Sequence, residues 1–221
     1  MKPHLANFRF YEELNDFLPT ECQKQTIEYR FKGQPAIKDP IEVLGVPHSE
    51  VDLIVVNGKS VGFDYKLKHA DRAAVYPAFE SLDISPLQRL RPKPLRKTAF
   101  IADVNLGKLA RRLRMIGFDT AYGNSLVDSE IVDIAVHEKR IILTRDRRLL
   151  FRRAITHGYW VRSDDPDAQL REVMQRLDLY QQIKPLRFCL ECNGKIEAVD
   201  REQVWSSLEP LTRRYYSEFF R

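Results

Sequence analysis

Two apolar runs in this chain each stop on an aspartate: Phe100-Ile101-Ala102-Asp103 and Ile141-Ile142-Leu143-Thr144-Arg145-Asp146. If both are strands of one parallel sheet, their carboxylates meet beyond the strands' carboxyl ends, where open α/β sheets bind ligands. Gathered carboxylates repel one another, so their convergence points to a hard cation such as Mg²⁺ or Mn²⁺ that neutralises them. Lys108, Arg111, Arg112 and Arg114 follow the first aspartate, and Arg145, Arg147, Arg148, Arg152 and Arg153 flank the second. Metal-binding acids framed by arginines read as chemistry on a phosphodiester.

Other acids are candidates with competing duties. Asp128 stands where a helix needs an N-cap, and that ordinary role would account for it as well as a metal would. Glu130 falls in the first helical turn, where the helix dipole alone favours an acid. Asp164 ends the run Tyr159-Trp160-Val161-Arg162, whereas Asp165 is claimed as N-cap by the helix that Pro166 opens. Thr144 is placed to orient water or to hydrogen-bond a carboxylate, and threonine is also simply a strand former. None of the five histidines falls in a recognisable triad, and His48 and His137 read as structural or solvated.

These residues need a scaffold, and the pattern after residue 98 supplies one. After Asp103, Leu106, Leu109, Ala110, Leu113 and Ile116 form one helical face that stops at Gly117. A strand is expected at Thr120-Ala121-Tyr122, then a helix capped by Asp128 or Ser129 and running to about Lys139. The strand to Asp146 is followed by an arginine-rich helix through Thr156, a strand at 159–162, and a helix from Pro166 buried through Leu170, Val173, Met174 and Leu177. Alternating strands and helices imply right-handed parallel connections and a three-layer α/β/α domain with a parallel sheet.

Residues 1–83 follow a different rhythm. Short strands are expected at 6–10 and 28–31, a helix at 37–44, and a hairpin over 51–63 turning at Asn57-Gly58, with a last strand near Ala74-Val75-Tyr76. The order β, β, α, β, β, completed by that last strand, is that of a β-grasp domain. Residues 84–97, with Pro86, Pro92 and Pro94 among five basic residues, read as an extended linker. The domain carrying the aspartates then spans 98–182, and 183–221 forms an appendage.

Charge divides the chain in the same place. Residues 1–83 hold 10 Lys and Arg against 13 Asp and Glu, a net of −3, while 84–221 hold 26 against 18, a net of +8. The basic part is therefore the one expected to meet a polyanion. No stretch reaches the roughly 20 apolar residues of a membrane helix, and a soluble cytoplasmic protein without a membrane partner is expected. Three cysteines, Cys22, Cys189 and Cys192, make no disulfide framework, so Cys189-x-x-Cys192 reads as half a metal site or a redox pair.

The combination Asp103-x-x-Leu106-Gly107-x-Leu109-Ala110-Arg111-x-Leu113-Arg114-x-x-Gly117-Phe118-Asp119, Asp128-x-Glu130, Leu143-Thr144-Arg145-Asp146 and Arg162-Ser163-Asp164-Asp165-Pro166 resembles the PIN-like RNase domain named for the C-terminus of the Mut-seven exonuclease. The segments Phe10-Tyr11-Glu12-Glu13-Leu14, Gly45-Val46-Pro47-His48 and Asn57-Gly58 resemble the ubiquitin-like domain that precedes it in bacterial members. The resemblance implies a ribonuclease, endonucleolytic in mode, with Asp103, Asp128, Asp146 and Asp164 holding one or two Mg²⁺ or Mn²⁺ ions and Glu130 and Thr144 as secondary candidates. RNA would be the substrate, contacted by Lys108, Arg111, Arg112, Arg114, Arg145, Arg147 and Arg148. The family carries a second Cys-x-x-Cys that would complete a zinc shell; Cys189 and Cys192 alone leave it incomplete, and no stable protein-only zinc site is expected.

Three function classes compete. A non-catalytic RNA-binding or adaptor protein keeping the fold is the alternative to the nuclease. A sulfur carrier would need a free terminal Gly-Gly, and none stands near Asp83. The ubiquitin-like domain is expected to dock a protein partner or to orient RNA.

Overall fold

The computed structural model describes residues 3–77, 90 and 98–220. The linker expected over 84–97 lies outside the described residues except for Leu90, which packs against the first hydrophobic core.

The first domain is a five-stranded sheet of β1 (His4–Phe10), β2 (Thr26–Phe31), β3 (Leu53–Val56), β4 (Lys59–Val61) and β5 (Arg72–Tyr76), in the order β2-β1-β5-β3-β4. The only parallel pair described in it is β1 with β5, the centre of a β-grasp. Alternation decides its inner face: Phe8, Phe10, Ile54, Val56, Ala73 and Val75 bury against Ile37 and Ile41 on either side of the start of α1 (Lys38–Val43). Asn57 and Gly58 both have positive φ, 49° and 83°, as a type I′ turn between β3 and β4 requires.

The second domain is a four-stranded, all-parallel sheet of β6 (Ala99–Ala102), β7 (Asp119–Ala121), β8 (Ile141–Thr144) and β9 (Gly158–Trp160), in the order β7-β6-β8-β9. Its two central strands, β6 and β8, are buried on both faces. Phe100 and Ala102 of β6 pack with α2 (Gly107–Met115) and α4 (Pro166–Arg176), while Ile101 between them packs with α3 (Asp128–Glu138) on the opposite face. The result is three layers. Asp165 caps α4 by accepting from the Asp167 and Ala168 N–H groups, and Pro166 occupies its first turn.

Three local expectations need correction. No α-helix follows Asp146: residues 145–157 form an irregular segment with a single 3-10 turn, Leu149–Phe151. Side chains of the first domain bind two of its carbonyls, a partnership that no local periodicity announces. The N-cap position of α3 is Val127, neither Asp128 nor Ser129; valine has no acceptor, and the Glu130 carboxylate reaches back to the Val127 N–H at 2.9 Å instead. The strands expected at 120–122 and 159–162 run instead over Asp119–Ala121 and Gly158–Trp160.

The domains meet through β9 and the turns around it. Arg162 donates to Asp16 Oδ2 at 2.8 Å, and its guanidinium carbon lies 4.8 Å from the Trp160 ring centre and 5.7 Å from that of Phe17. Arg147 stands over the same two rings and donates to the Phe17 carbonyl at 2.9 Å. Arg176 pairs with Glu13. Beyond residue 183, β10 (Ala198–Val199) pairs with β11 (Phe219–Phe220), with α5 (Arg201–Val204) and α6 (Pro210–Tyr215) between them.

Candidate active site

Topology singles out one place on the parallel sheet. From β6 the chain crosses over α2 to β7 on one side; from β7 it crosses over α3, on the other face, to β8 on the far side of β6. The strand order therefore reverses between β6 and β8, and ligand crevices of open α/β sheets form at such a reversal. Asp103 follows the last residue of β6, and Asp146 lies two residues past the end of β8.

The two aspartates are linked by one side chain. Thr144, fully buried, donates its hydroxyl to Asp103 Oδ2 at 2.7 Å and accepts the Asp146 N–H at 2.8 Å. The Asp103 backbone N–H donates to the Leu143 carbonyl at 2.9 Å, which continues the β6–β8 pairing past the strand end. Asp103 is buried, at 6 % exposure. Asp146 is exposed, and its Oδ1 accepts the Arg148 N–H at 2.8 Å, so the carboxylate folds its own turn.

Asp128 and Asp164 are exposed and ion-paired. Released from capping by Val127 and Glu130, Asp128 faces Arg152 at 3.4 Å. Asp164 pairs with Arg145, which ties the end of β8 to the end of β9. Among the described residues no three His, Cys, Asp or Glu side chains close into a metal cage. The donor set still suits Mg²⁺ or Mn²⁺, because such ions are held in phosphoryl-transfer sites by one or two carboxylates with water and phosphate oxygens completing the shell.

The basic residues divide by surroundings. Lys108 and Arg148 are exposed. Arg111 and Arg112 lie on the outer face of α2 and pair with Glu191 at 2.9 Å and Asp167 at 2.6 Å. Arg114 is enclosed, at 4 % exposure, and donates to the carbonyls of Thr120, Leu190 and Glu191. Its guanidinium is thereby taken from the RNA-facing set expected above and anchors the cysteine turn to the domain. Arg147, sandwiched between the domains, is withdrawn in the same way. Sequence spacing carries no sign of the Leu190 and Phe17 carbonyls, which lie 76 and 130 positions away.

In the cysteine turn the Cys189 N–H donates to the Gly194 carbonyl, and the Gly194 N–H points at Cys192 Sγ, 3.4 Å away. Backbone N–H groups of Cys192 and then Glu191 hold the Cys189 thiol below its ordinary value. Asn193 fixes the turn to β7 through the Thr120 N–H and Asp119. A separate groove of about 650 Å³ lies against the β-grasp sheet, lined by Asn7, Arg9, Tyr11, Thr26 and Arg72 among others, and none of the candidate acids reaches it.

Comparison with known proteins bears on both domains. No curated protein matches the chain. The crystal structure of H. volcanii small archaeal modifier protein 1 aligns with 34 % of this chain and 99 % of its own, at 12 % identity and a TM-score of 0.28. The Mut7-C ubiquitin family matches residues 4–83, and the Mut7-C RNAse domain family matches residues 98–221. With more than half its length matched by the latter, the chain belongs to the Mut7-C RNAse domain family, preceded by a Mut7-C ubiquitin domain.

Proposed function

We propose that this protein is a Mg²⁺- or Mn²⁺-dependent ribonuclease that cleaves RNA internally. The observation that carries the reading is the Asp103–Thr144–Asp146 chain at the reversal of the parallel sheet. In this reading Asp103 and Asp146 hold the metal, Asp128 and Asp164 are the further candidates, and Glu130 is secondary. A bound divalent ion would lower the pKa of an attacking water and take up charge on the phosphoryl oxygens. Thr144 orients Oδ2 of Asp103. Lys108 and Arg148 hold the phosphate backbone, while Arg145 and Arg152 restrain the outer carboxylates and could exchange that pairing for a phosphate. A reducing cytoplasm suits the three free thiols.

A second reading, an RNA-binding adaptor without catalysis, is favoured by the ion pairs that occupy Asp128 and Asp164. Incubation of the full chain with labelled RNA, with Mg²⁺ or with EDTA, separates the two. New internal cuts that EDTA suppresses support the ribonuclease; retarded but intact RNA in both conditions supports the adaptor.

A further inference from the structure

The segment that carries Asp146 contains little regular structure, yet it is not loose. Leu149, Leu150 and Ile155 are buried, and the Leu150 and Ile155 carbonyls are met by side chains of the first domain. Buried carbonyls need donors, and a helix in this segment would have supplied them locally. Here three consecutive residues of the first domain satisfy the segment. His48 Nε2 lies 2.8 Å from the Ile155 carbonyl, and since a carbonyl only accepts, this nitrogen carries the proton. Ser49 Oγ donates to the Leu150 carbonyl at 3.0 Å. Glu50 accepts the Trp160 N–H just beyond the segment, on β9.

We propose that the His48-Ser49-Glu50 turn of the β-grasp domain is a latch that shapes residues 145–157 and so sets Asp146 beside Asp103. The three residues are positioning residues: their hydrogen bonds reach the backbone of Leu150, Ile155 and Trp160. The proposal rests on the ribonuclease reading for its catalytic consequence alone, because the shaping of the segment stands on the contacts themselves.

Each latch residue is itself held. His48, Ser49 and Glu50 are all at or below 5 % exposure, and His48 Nδ1 rests against the Glu42 carboxylate. The latch closes at backbone distance: a methyl group at Gly158 would stand 2.4 Å from Leu150 Cδ2 and 3.3 Å from Ser49 Oγ. On the catalytic side, the Leu149 N–H donates to the Asp146 carbonyl and the Leu150 N–H to that of Arg147. A carbonyl gripped at Leu150 is therefore within one turn of Asp146. Arg147, next in sequence to Asp146, is fixed by the Phe17 carbonyl, so the grip continues to the aspartate's neighbour. The β-grasp domain is on this account part of the site's framework, and the second domain does not hold its own catalytic loop.

The test uses the full chain with His48→Ala, Ser49→Ala and both together, and His48→Gln as a control that keeps one N–H at the same reach. Amide hydrogen exchange is followed by peptide alongside steady-state cleavage of labelled RNA. The expected result is faster exchange in 145–157 by about tenfold or more in the double variant, with β6 and α2 unchanged. In parallel kcat falls by about tenfold with KM nearly constant, because a misplaced ligand costs the transition state and not RNA binding. His48→Gln recovers part of both. Unchanged exchange in the segment, or exchange raised equally in every segment, overturns the latch, as does an unchanged kcat in the double variant of an active enzyme. A wild-type chain that cuts no RNA refutes the ribonuclease reading instead, and the exchange pattern still decides the latch.

Discussion

Arg162 and Arg148 stand fourteen positions apart in the same basic stretch, and the structure gives them opposite surroundings. Arg162 is enclosed between the Phe17, Tyr159 and Trp160 rings and bound to Asp16, and its neighbours in that interface include Arg147 and Arg176. Arg148 and Lys108 end in solvent at the carboxyl side of the sheet. The net of +8 after residue 84 therefore overstates the charge available to RNA, since several of its cations join one domain to the other. A guanidinium suits that duty because its flat face stacks on rings while its edge donates. A charge tally locates a basic domain but not the basic surface.

The contrast can be broken most severely at Arg162. Arg162→Ala removes a stacked cation from three rings and leaves Asp16 unpaired, and it should cost about 2–4 kcal/mol of stability. Urea denaturation should show the loss, together with early exposure of Trp160 by fluorescence. A loss below about 0.5 kcal/mol, the scale of an ordinary surface substitution, would put Arg162 in the same class as Arg148.

Glu50 sharpens the same interface through pH. Burial raises its carboxyl from an ordinary value near 4.5 to about 7, with Arg162 offsetting part of the shift. A raised carboxyl binds its proton more tightly in the folded state, so its stabilising contribution is complete below pH 4.5 and is lost as pH rises to about 7, by up to about 3 kcal/mol. His48, lowered from 6.5 by burial, works in the other direction, costing stability as pH falls below 6.5. Melting curves between pH 5 and 7.5 should therefore fall less steeply with pH in Glu50→Gln than in wild type. Parallel slopes in the two proteins would show that Glu50 does not titrate in this window.

The smallest effect belongs to the open side. Lys108→Ala with Arg148→Ala should leave stability within about 0.5 kcal/mol, raise KM, and reduce the salt dependence of RNA binding by about two released counterions. A salt slope equal to that of wild type would remove both residues from the RNA surface.

What could be read from the residues followed the range of the interactions involved. The Asn57-Gly58 hairpin and the Asp165-Pro166 helix start are local devices, and both stand where the pattern put them. The strand-ending aspartates were legible because apolar runs report buried parallel strands. The segment after Asp146 has arginines and leucines at helical spacing, yet it is no helix, and its carbonyls at Leu150 and Ile155 are bound by Ser49 and His48 some hundred residues earlier. Asp128 stands at the boundary, where either a cap or a metal ligand is expected, yet the carboxylate that serves the boundary is Glu130, three residues past Val127. Arg114 and Arg147 looked like phosphate contacts because nothing in the sequence names the carbonyls they serve.

The central claim is that Asp103 and Asp146 form a metal-dependent cleavage site, and Mn²⁺ titration with RNA cleavage in wild type and Asp103→Asn tests it most directly. Wild type should bind Mn²⁺ and cut RNA with saturation of both at the same metal concentration. Asp103→Asn should lose cutting and weaken binding while melting at or above the wild-type temperature, since its removal relieves like-charge repulsion. Full cleavage by Asp103→Asn, or cleavage by wild type that persists in EDTA, would contradict the account.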